Sequence, residues 1–117
     1  MIKVIKYLRQ ISDEYNVLFC DIWGCIHNGK NSYKRALEAL IEFKRNGGFV
    51  MLLTNAPRPK SAVKAHLSTF GIFENHFDDI TTSGDAAQNS MLSGNVGTKV
   101  YHLGPQRDLS FFTDIPK

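Results

Sequence analysis

Two polar residues end two apolar runs in this sequence, and both are residue types that can take part in covalent chemistry. Asp21 follows the run "VLFC", and Thr54 follows the run "FVMLL". If both runs are parallel strands, their carboxyl ends meet at the edge of the sheet where ligands bind in open α/β folds. A carboxylate there can attack phosphorus or carbon, while a hydroxyl and backbone N–H groups hold the anionic group. On spacing alone, the alternative that Asp21 merely ends a strand and caps a turn has equal weight.

The hydrophobic pattern predicts the elements that would position these two residues. Continuous apolar runs are typical of strands buried on both faces of a parallel sheet, and apolar residues at three- and four-residue steps indicate helices. The order strand, helix, strand, helix predicts a right-handed α/β unit. The predicted elements are an amphipathic helix over 2–15, a strand over 17–22, a helix from the N-cap Ser32 through Lys44, a strand over 49–54, a helix over about 60–70, a short strand over 79–82, a helix over about 84–92 and a weak strand over 98–104.

A glycine-containing segment directly follows Asp21. Gly24 would permit a tight departure from the strand, because it lacks a Cβ. Asn28 and Gly29 form a turn signal, so the segment is predicted to fold back as a short hairpin or flap beside Asp21. His27 in this flap could line the mouth of a site, although a solvent-exposed turn histidine is the more frequent case.

Composition excludes several classes of protein. The 117 residues are 43% hydrophobic and 21% charged, which is typical of one globular domain. The net charge of +3 is spread along the chain, which argues against a nucleic-acid partner. No apolar run approaches the roughly 18 residues of a membrane span. Cys20 and Cys25 lack the spacing of a zinc or redox site, so a reducing, cytoplasmic location is expected.

Four segments together resemble a known family. "FCDIWGCIHNGK", "YKRALEALIEFKRNGG", "FVMLLTNAPRP" and "FGI…DDITTSGDAA" are similar to the N-terminal half of the haloacid dehalogenase superfamily. The resemblance extends over nearly the whole chain and is to the class IIA branch, which includes NagD-like and 4-nitrophenylphosphatase-like hydrolases. It implies a Rossmann-like core with a partial parallel sheet in residues 1–83. Residues 84–117 would then be a linker and the beginning of an α/β cap domain.

The resemblance implies roles for five residues. Asp21 matches the nucleophile that forms an aspartyl-phosphate and also binds Mg²⁺, and Trp23 occupies a position whose backbone carbonyl contacts the metal. Thr54 matches the hydroxyl that binds the phosphoryl oxygens. Asn55, which follows it, and Gly24 in the flap match positions close to the substrate. The implied substrate is a small phosphorylated metabolite.

The sequence departs from the family pattern in two ways. Position 23 should carry an aspartate that acts as general acid and base, and a tryptophan cannot transfer that proton. The family's later lysine and acidic pair have no counterpart before Lys117, since Asp78 and Asp79 precede the cap segment and are interpreted as loop or strand-edge residues. Weak Mg²⁺ binding and little or no turnover by this chain alone are therefore expected.

A partial sheet would also leave one edge and one face without cover. Self-association or pairing with a complementing chain is therefore predicted, and Phe111 and Phe112 would be exposed unless something covers them. Two other functions stay open. One is a non-catalytic module that binds phosphate-bearing ligands or a partner, derived from a split or decayed hydrolase. The other is a metal-independent 2-haloacid dehalogenase that uses Asp21. A receiver-type domain is disfavoured because the first strand lacks an acidic pair.

Overall fold

The computed structural model describes residues 2, 4–113 and 115, and it confirms an α/β fold with a parallel sheet. Three short 3₁₀ helices accompany the main elements, at Leu8–Gln10, Ser12–Glu14 and Gln106–Phe112. None of the helices among the described residues is long and apolar enough to cross a bilayer. The main elements in chain order are β1 (Val17–Asp21), α1 (Lys34–Arg45), β2 (Phe49–Thr54), α2 (Lys60–Ser68), β3 (Asp79–Thr82) and α3 (Ser83–Leu92).

The sheet has the order β1-β2-β3, with every neighbouring pair parallel. Val17 pairs with Phe49 at the start of the β1–β2 ladder, and Met51 pairs with Asp79 at the start of the β2–β3 ladder. Because the strands follow one another in sequence order, right-handed crossovers place α1 and α2 on the same face of the sheet. The carboxyl ends of all three strands therefore lie at one edge.

The hydrophobic core lies between the sheet and these two helices. Strand alternation directs every second residue toward them, and Val50 and Leu52 of β2 have no exposed surface. The helices contribute residues at helical spacing, such as Leu37 and Leu40 of α1. The core cluster consists of Ile22, Ile26, Leu37, Leu40, Phe43, Val50, Leu52, Val63, Leu67, Ile72, Phe77 and Ile80.

The opposite face of the sheet is exposed in the part of the chain that the structure describes. Val17 and Phe19 of β1 are 46% and 63% exposed, and Phe49 and Leu53 of β2 are also exposed. The prediction that the strands at 17–22 and 49–54 are buried on both faces is therefore wrong for the described residues. The apolar run in β1 is continuous, yet only Leu18 and Cys20 pack against the core.

The predicted helix over 2–15 is also wrong. Two 3₁₀ helices stand in its place, and Lys3 lies outside the described residues. The side chain of Gln10 accepts the backbone N–H groups of Lys6 and Tyr7, which caps a tight turn. Ile2 and Val4 are more than 90% exposed, and Ile5, Leu8 and Ile11 are only half-buried, so the segment packs weakly on the rest of the fold. A helix depends on such packing for most of its stability.

The remaining differences are smaller. The helix predicted from Ser32 has Tyr33 at its N-cap, with no side-chain cap. The segment 98–104 is irregular instead of a strand. Phe111 in the last 3₁₀ helix is buried, and the Gln88 side chain of α3 donates a hydrogen bond to the Phe111 carbonyl.

Candidate functional site

Asp21 is the last residue of β1 and lies at the carboxyl edge of the sheet. Its side chain is exposed, and its Oδ1 accepts a hydrogen bond from the N–H of Ile22 at 2.8 Å. This bond fixes the orientation of the carboxylate while using one of its two oxygens. The other oxygen is the atom that a ligand at this edge would meet.

Thr54 ends the neighbouring strand at the same edge. It follows Leu53, the register partner of Asp21, and adjacent strands lie about 4.8 Å apart. The Oγ1 of Thr54 accepts the N–H of Ala56 at 3.2 Å, so the hydroxyl proton stays available for an anionic acceptor. Asn55 is exposed directly after it. By strand alternation Asp21 continues the open face and Thr54 the helix-covered face, so a ligand across the end of the sheet would meet both.

The segment after Asp21 folds into the predicted flap. Gly24 has a φ of 78°, a left-handed conformation that favours glycine, and its N–H donates to the carbonyl of His27 at 2.8 Å. His27 and Ser32 form an antiparallel bridge across the flap. Ile22 and Ile26 are buried in the core and anchor the flap to it.

Trp23 lies on this flap beside Asp21. Its indole packs over Gly29, where an added Cβ would come within 2.5 Å of the ring. The ring also meets His27 edge to face, with centroids 5.5 Å apart. The side chain is nevertheless 64% exposed. An apolar aromatic side chain therefore stands at the mouth of the candidate site.

His27 is buried, contrary to the expectation of an exposed turn residue. Its ring stacks on the ring of Phe70, with centroids 4.7 Å apart, and its Nδ1 accepts a hydrogen bond from the N–H of Gly29 at 3.0 Å. Burial lowers the pKa of His27, and the nearby His66 lowers it further. His27 thus ties the flap to Phe70, two residues beyond the end of α2, and the sequence carried no signal for this because Phe70 is distant in the chain.

Three other side chains that could have competed with Asp21 for the role of nucleophile are less suited to it. Asp78 pairs with Lys44 and Asp79 pairs with Lys60, and both precede or begin β3 at the amino edge of the sheet. Burial, with smaller effects of Cys25 and Asp21, raises the pKa of Cys20 to about 11, so its thiol is not a ready nucleophile. Asp21 is therefore the exposed carboxylate at the strand ends.

Comparison with known proteins places this architecture in a family. Residues 18–115 match the family model for haloacid dehalogenase-like hydrolases. The chain belongs to the haloacid dehalogenase-like hydrolase family. It is similar to the crystal structure of a haloacid dehalogenase-like family hydrolase from Brucella suis 1330, with 34% identity and a TM-score of 0.86. The match covers 95% of this haloacid dehalogenase-like chain and 40% of that protein, so the chain spans less than half of that relative. Comparison with curated proteins gives no match.

In this haloacid dehalogenase-like chain, the β2–α2 loop, residues 55–59, is held by Gly84 and Asp85, which were not predicted as site residues from the sequence. The backbone N–H of Gly84 donates to the carbonyl of Ala56, and the carboxylate of Asp85 accepts the N–H of Lys60. The segment "TTSGDAA" was part of the family pattern, but the pattern gave no reason for a contact with this loop. Only the fold brings them together.

Proposed function

We propose that this chain carries the nucleophile and phosphate-binding groups of a phosphatase-type hydrolase. The observation that carries the proposal is the exposed carboxylate of Asp21 at the end of β1, at the same edge of the sheet as Thr54, which ends β2. Asp21 would attack the phosphorus of a small phosphorylated metabolite, forming an aspartyl-phosphate as the bond to the leaving oxygen breaks. Water would then attack the phosphorus, releasing inorganic phosphate and the free carboxylate.

The phosphoryl oxygens would be held by three neighbouring positions. The proton of the Thr54 hydroxyl would donate to one oxygen, since Oγ1 already accepts the Ala56 N–H. Asn55 follows it on the exposed side of the loop, and Gly24 lets the flap pass close to the ligand. The indole N–H of Trp23 is too weak an acid to protonate a leaving group, so slow turnover is expected.

A magnesium ion would neutralise charge on the phosphoryl group in this reaction. The residues present fit it only in part, because Mg²⁺ prefers six oxygens in an octahedron. Asp21 would offer a carboxylate oxygen, and Trp23 its backbone carbonyl. Among the described residues, no three His, Cys, Asp or Glu side chains come together as a metal site. Weak metal binding by this chain alone follows.

The assignment within the family is also a proposal. The Asn–Gly flap and the "TTSGDAA" segment support class IIA, in which residues 1–83 would be core and 84–117 a linker and the start of a cap. Binding of phosphate analogues without chemistry would favour the non-catalytic module. Chloride release from a 2-haloacid in the presence of chelator would favour the dehalogenase.

The test is capture of the phosphoenzyme. The chain is incubated with Mg²⁺ and 4-nitrophenyl phosphate, and peptide mass spectrometry searches for one added phosphoryl group. We expect it on Asp21 and expect none in Asp21→Asn. The matched control is Asp79→Asn, because Asp79 also accepts the N–H of the following isoleucine at 2.8 Å but lies at the other edge of the sheet. A phosphoryl group that persists in Asp21→Asn would contradict the proposal.

A further inference from the structure

The first turn of α3 holds both ends of the β2–α2 loop. At one end, the N–H of Gly84 donates to the carbonyl of Ala56 at 3.1 Å. At the other end, the Asp85 carboxylate accepts the N–H of Lys60 at 3.1 Å through Oδ1 and 3.2 Å through Oδ2. Two consecutive residues of one helix thus fix the loop that follows Thr54.

Gly84 allows this contact because its backbone touches the backbone of the loop. It is buried, and a Cβ placed on it would lie 2.4 Å from the carbonyl carbon and oxygen of Arg58. The clash is with main-chain atoms, which cannot rotate away as a side chain can. The type of residue at position 84 is therefore set by the close approach of α3 to the loop.

Asp85, in the first turn of α3, connects this helix to β3 and to α2. Its N–H donates to the Oγ1 of Thr82, a buried residue at the end of β3, at 2.9 Å. Its carboxylate meanwhile caps α2, whose N-cap residue Pro59 supplies no side-chain cap. An acidic residue in a first helical turn usually interacts with its own helix dipole. Here the carboxylate reaches the first residue of a different helix.

These bonds continue to the candidate phosphate-binding hydroxyl. Ala56, held by Gly84 through its carbonyl, donates its own N–H to Thr54 Oγ1. We propose that Gly84 and Asp85 are positioning residues, which set the Thr54 hydroxyl and the β2–α2 loop for binding a phosphoryl group. A shift of α3 would then change the phosphate affinity. This inference rests on the proposed function of Thr54.

The experiment measures the dissociation constant of inorganic phosphate by calorimetry with Mg²⁺, at a temperature where every variant is folded. Asp85→Ala removes the acceptor for the Lys60 N–H, and Gly84→Ala forces the loop away. Each should weaken phosphate binding about tenfold, equivalent to one well-placed hydrogen bond. Asp85→Asn keeps an acceptor oxygen and should stay within about threefold of the unmodified chain.

The matched control is Asp79→Ala, which should leave the affinity unchanged. Asp79 also binds Lys60, but through the side-chain ammonium at 3.1 Å and not through the backbone N–H. If Asp85→Ala does not fold, Asp85→Ser serves instead, because its hydroxyl is too short to span the same distance. Thermal unfolding is recorded for each variant.

The outcomes separate the two proposals. Phosphate binding that requires Thr54 but is unchanged in Asp85→Ala and Gly84→Ala overturns the positioning role, even if their unfolding temperatures fall. A purely structural role of Gly84 and Asp85 would lower the unfolding temperatures and leave the phosphate affinity unchanged. Binding that is absent, or that is unaffected by Thr54→Ala, overturns the proposed function and this inference with it. The inference is supported if phosphate binding is weakened in both Asp85→Ala and Gly84→Ala but is retained in Asp85→Asn.

Discussion

The two faces of the sheet are built from similar residues but have different surroundings. On β2, Val50 and Leu52 face the helices and are fully buried, whereas Phe49 and Leu53 face the other way and stay 42% and 37% exposed. On β1 the exposed Phe19 is larger than either residue that packs against the core. The faces differ in what covers them and not in their hydrophobicity.

The sequence supplies apolar residues to both faces of the sheet, but the described residues cover one face and leave the other exposed. An apolar strand face that lacks a cover is typical of an interaction surface. The free edge of β1 adds unpaired backbone groups beside that face. The open face and the β1 edge are therefore the surfaces at which association is to be tested. The following variants test the two faces against each other.

The largest difference should appear between two neighbouring leucines. Leu52→Ala removes a side chain with no exposed surface, and it should lower the free energy of unfolding by about 2–5 kcal/mol. Leu53→Ala makes the same chemical change on the open face and should cost about 1 kcal/mol or less. Urea denaturation at low protein concentration measures both. Equal losses would mean that the open face is as well packed in solution as the covered one.

Much of the covered face could be predicted from sequence, because its signals are local. The apolar run at 49–54 and the spacing of Leu37 and Leu40 specify β2 and α1 without reference to distant residues. The positions of Asp21 and Thr54 at one sheet edge follow from the same pattern. These features need only strand alternation and the rule that parallel crossovers are right-handed.

The features that sequence reasoning missed depend on distant partners. The apolar run in β1 indicates a buried strand, but burial requires a cover that the described residues do not provide. The burial of His27 depends on Phe70, and the role of Gly84 depends on the backbone of Arg58. The N-terminal pattern fits a helix, yet Ile2 and Val4 find no surface on which to pack.

The second test concerns association through the open face. With no other polypeptide present, a second copy is the available cover, so the sedimentation coefficient should rise with concentration. Phe19→Glu places a charge in the centre of this face, and should weaken association at least tenfold, because burial of one phenylalanine contributes about 1.5–3 kcal/mol. Phe73→Glu is the control, as Phe73 is half exposed and lies in the connection between α2 and β3. A compact monomer at all concentrations would contradict association.

The smallest expected effect concerns Asp78, which links the covering helix α1 to the sheet. Partial burial raises the pKa of Asp78, but its bonds from the Val50 N–H at 2.8 Å and from Lys44 outweigh burial, so the pKa lies below its ordinary value. The direction of this pKa shift determines how the stability of the fold depends on pH. The ionised form stabilises the fold above the ordinary pKa of about 3.9, and this contribution is lost as pH falls through the lower, folded pKa.

Asp78→Asn should therefore lower the free energy of unfolding by on the order of 1 kcal/mol at pH 7, and the difference should shrink toward pH 2. Asp79→Asn is the matched comparison. The hydrogen bond from the Ile80 N–H, together with Lys60, also lowers the pKa of Asp79, but its side chain is 45% exposed and its ion pair with Lys60 is screened by solvent. Urea denaturation at several pH values should show that the stability lost in Asp79→Asn depends less on pH than the stability lost in Asp78→Asn. If the two variants lose equal stability, the link between α1 and the sheet contributes no more than an exposed surface pair, and the covered face is held by apolar packing alone.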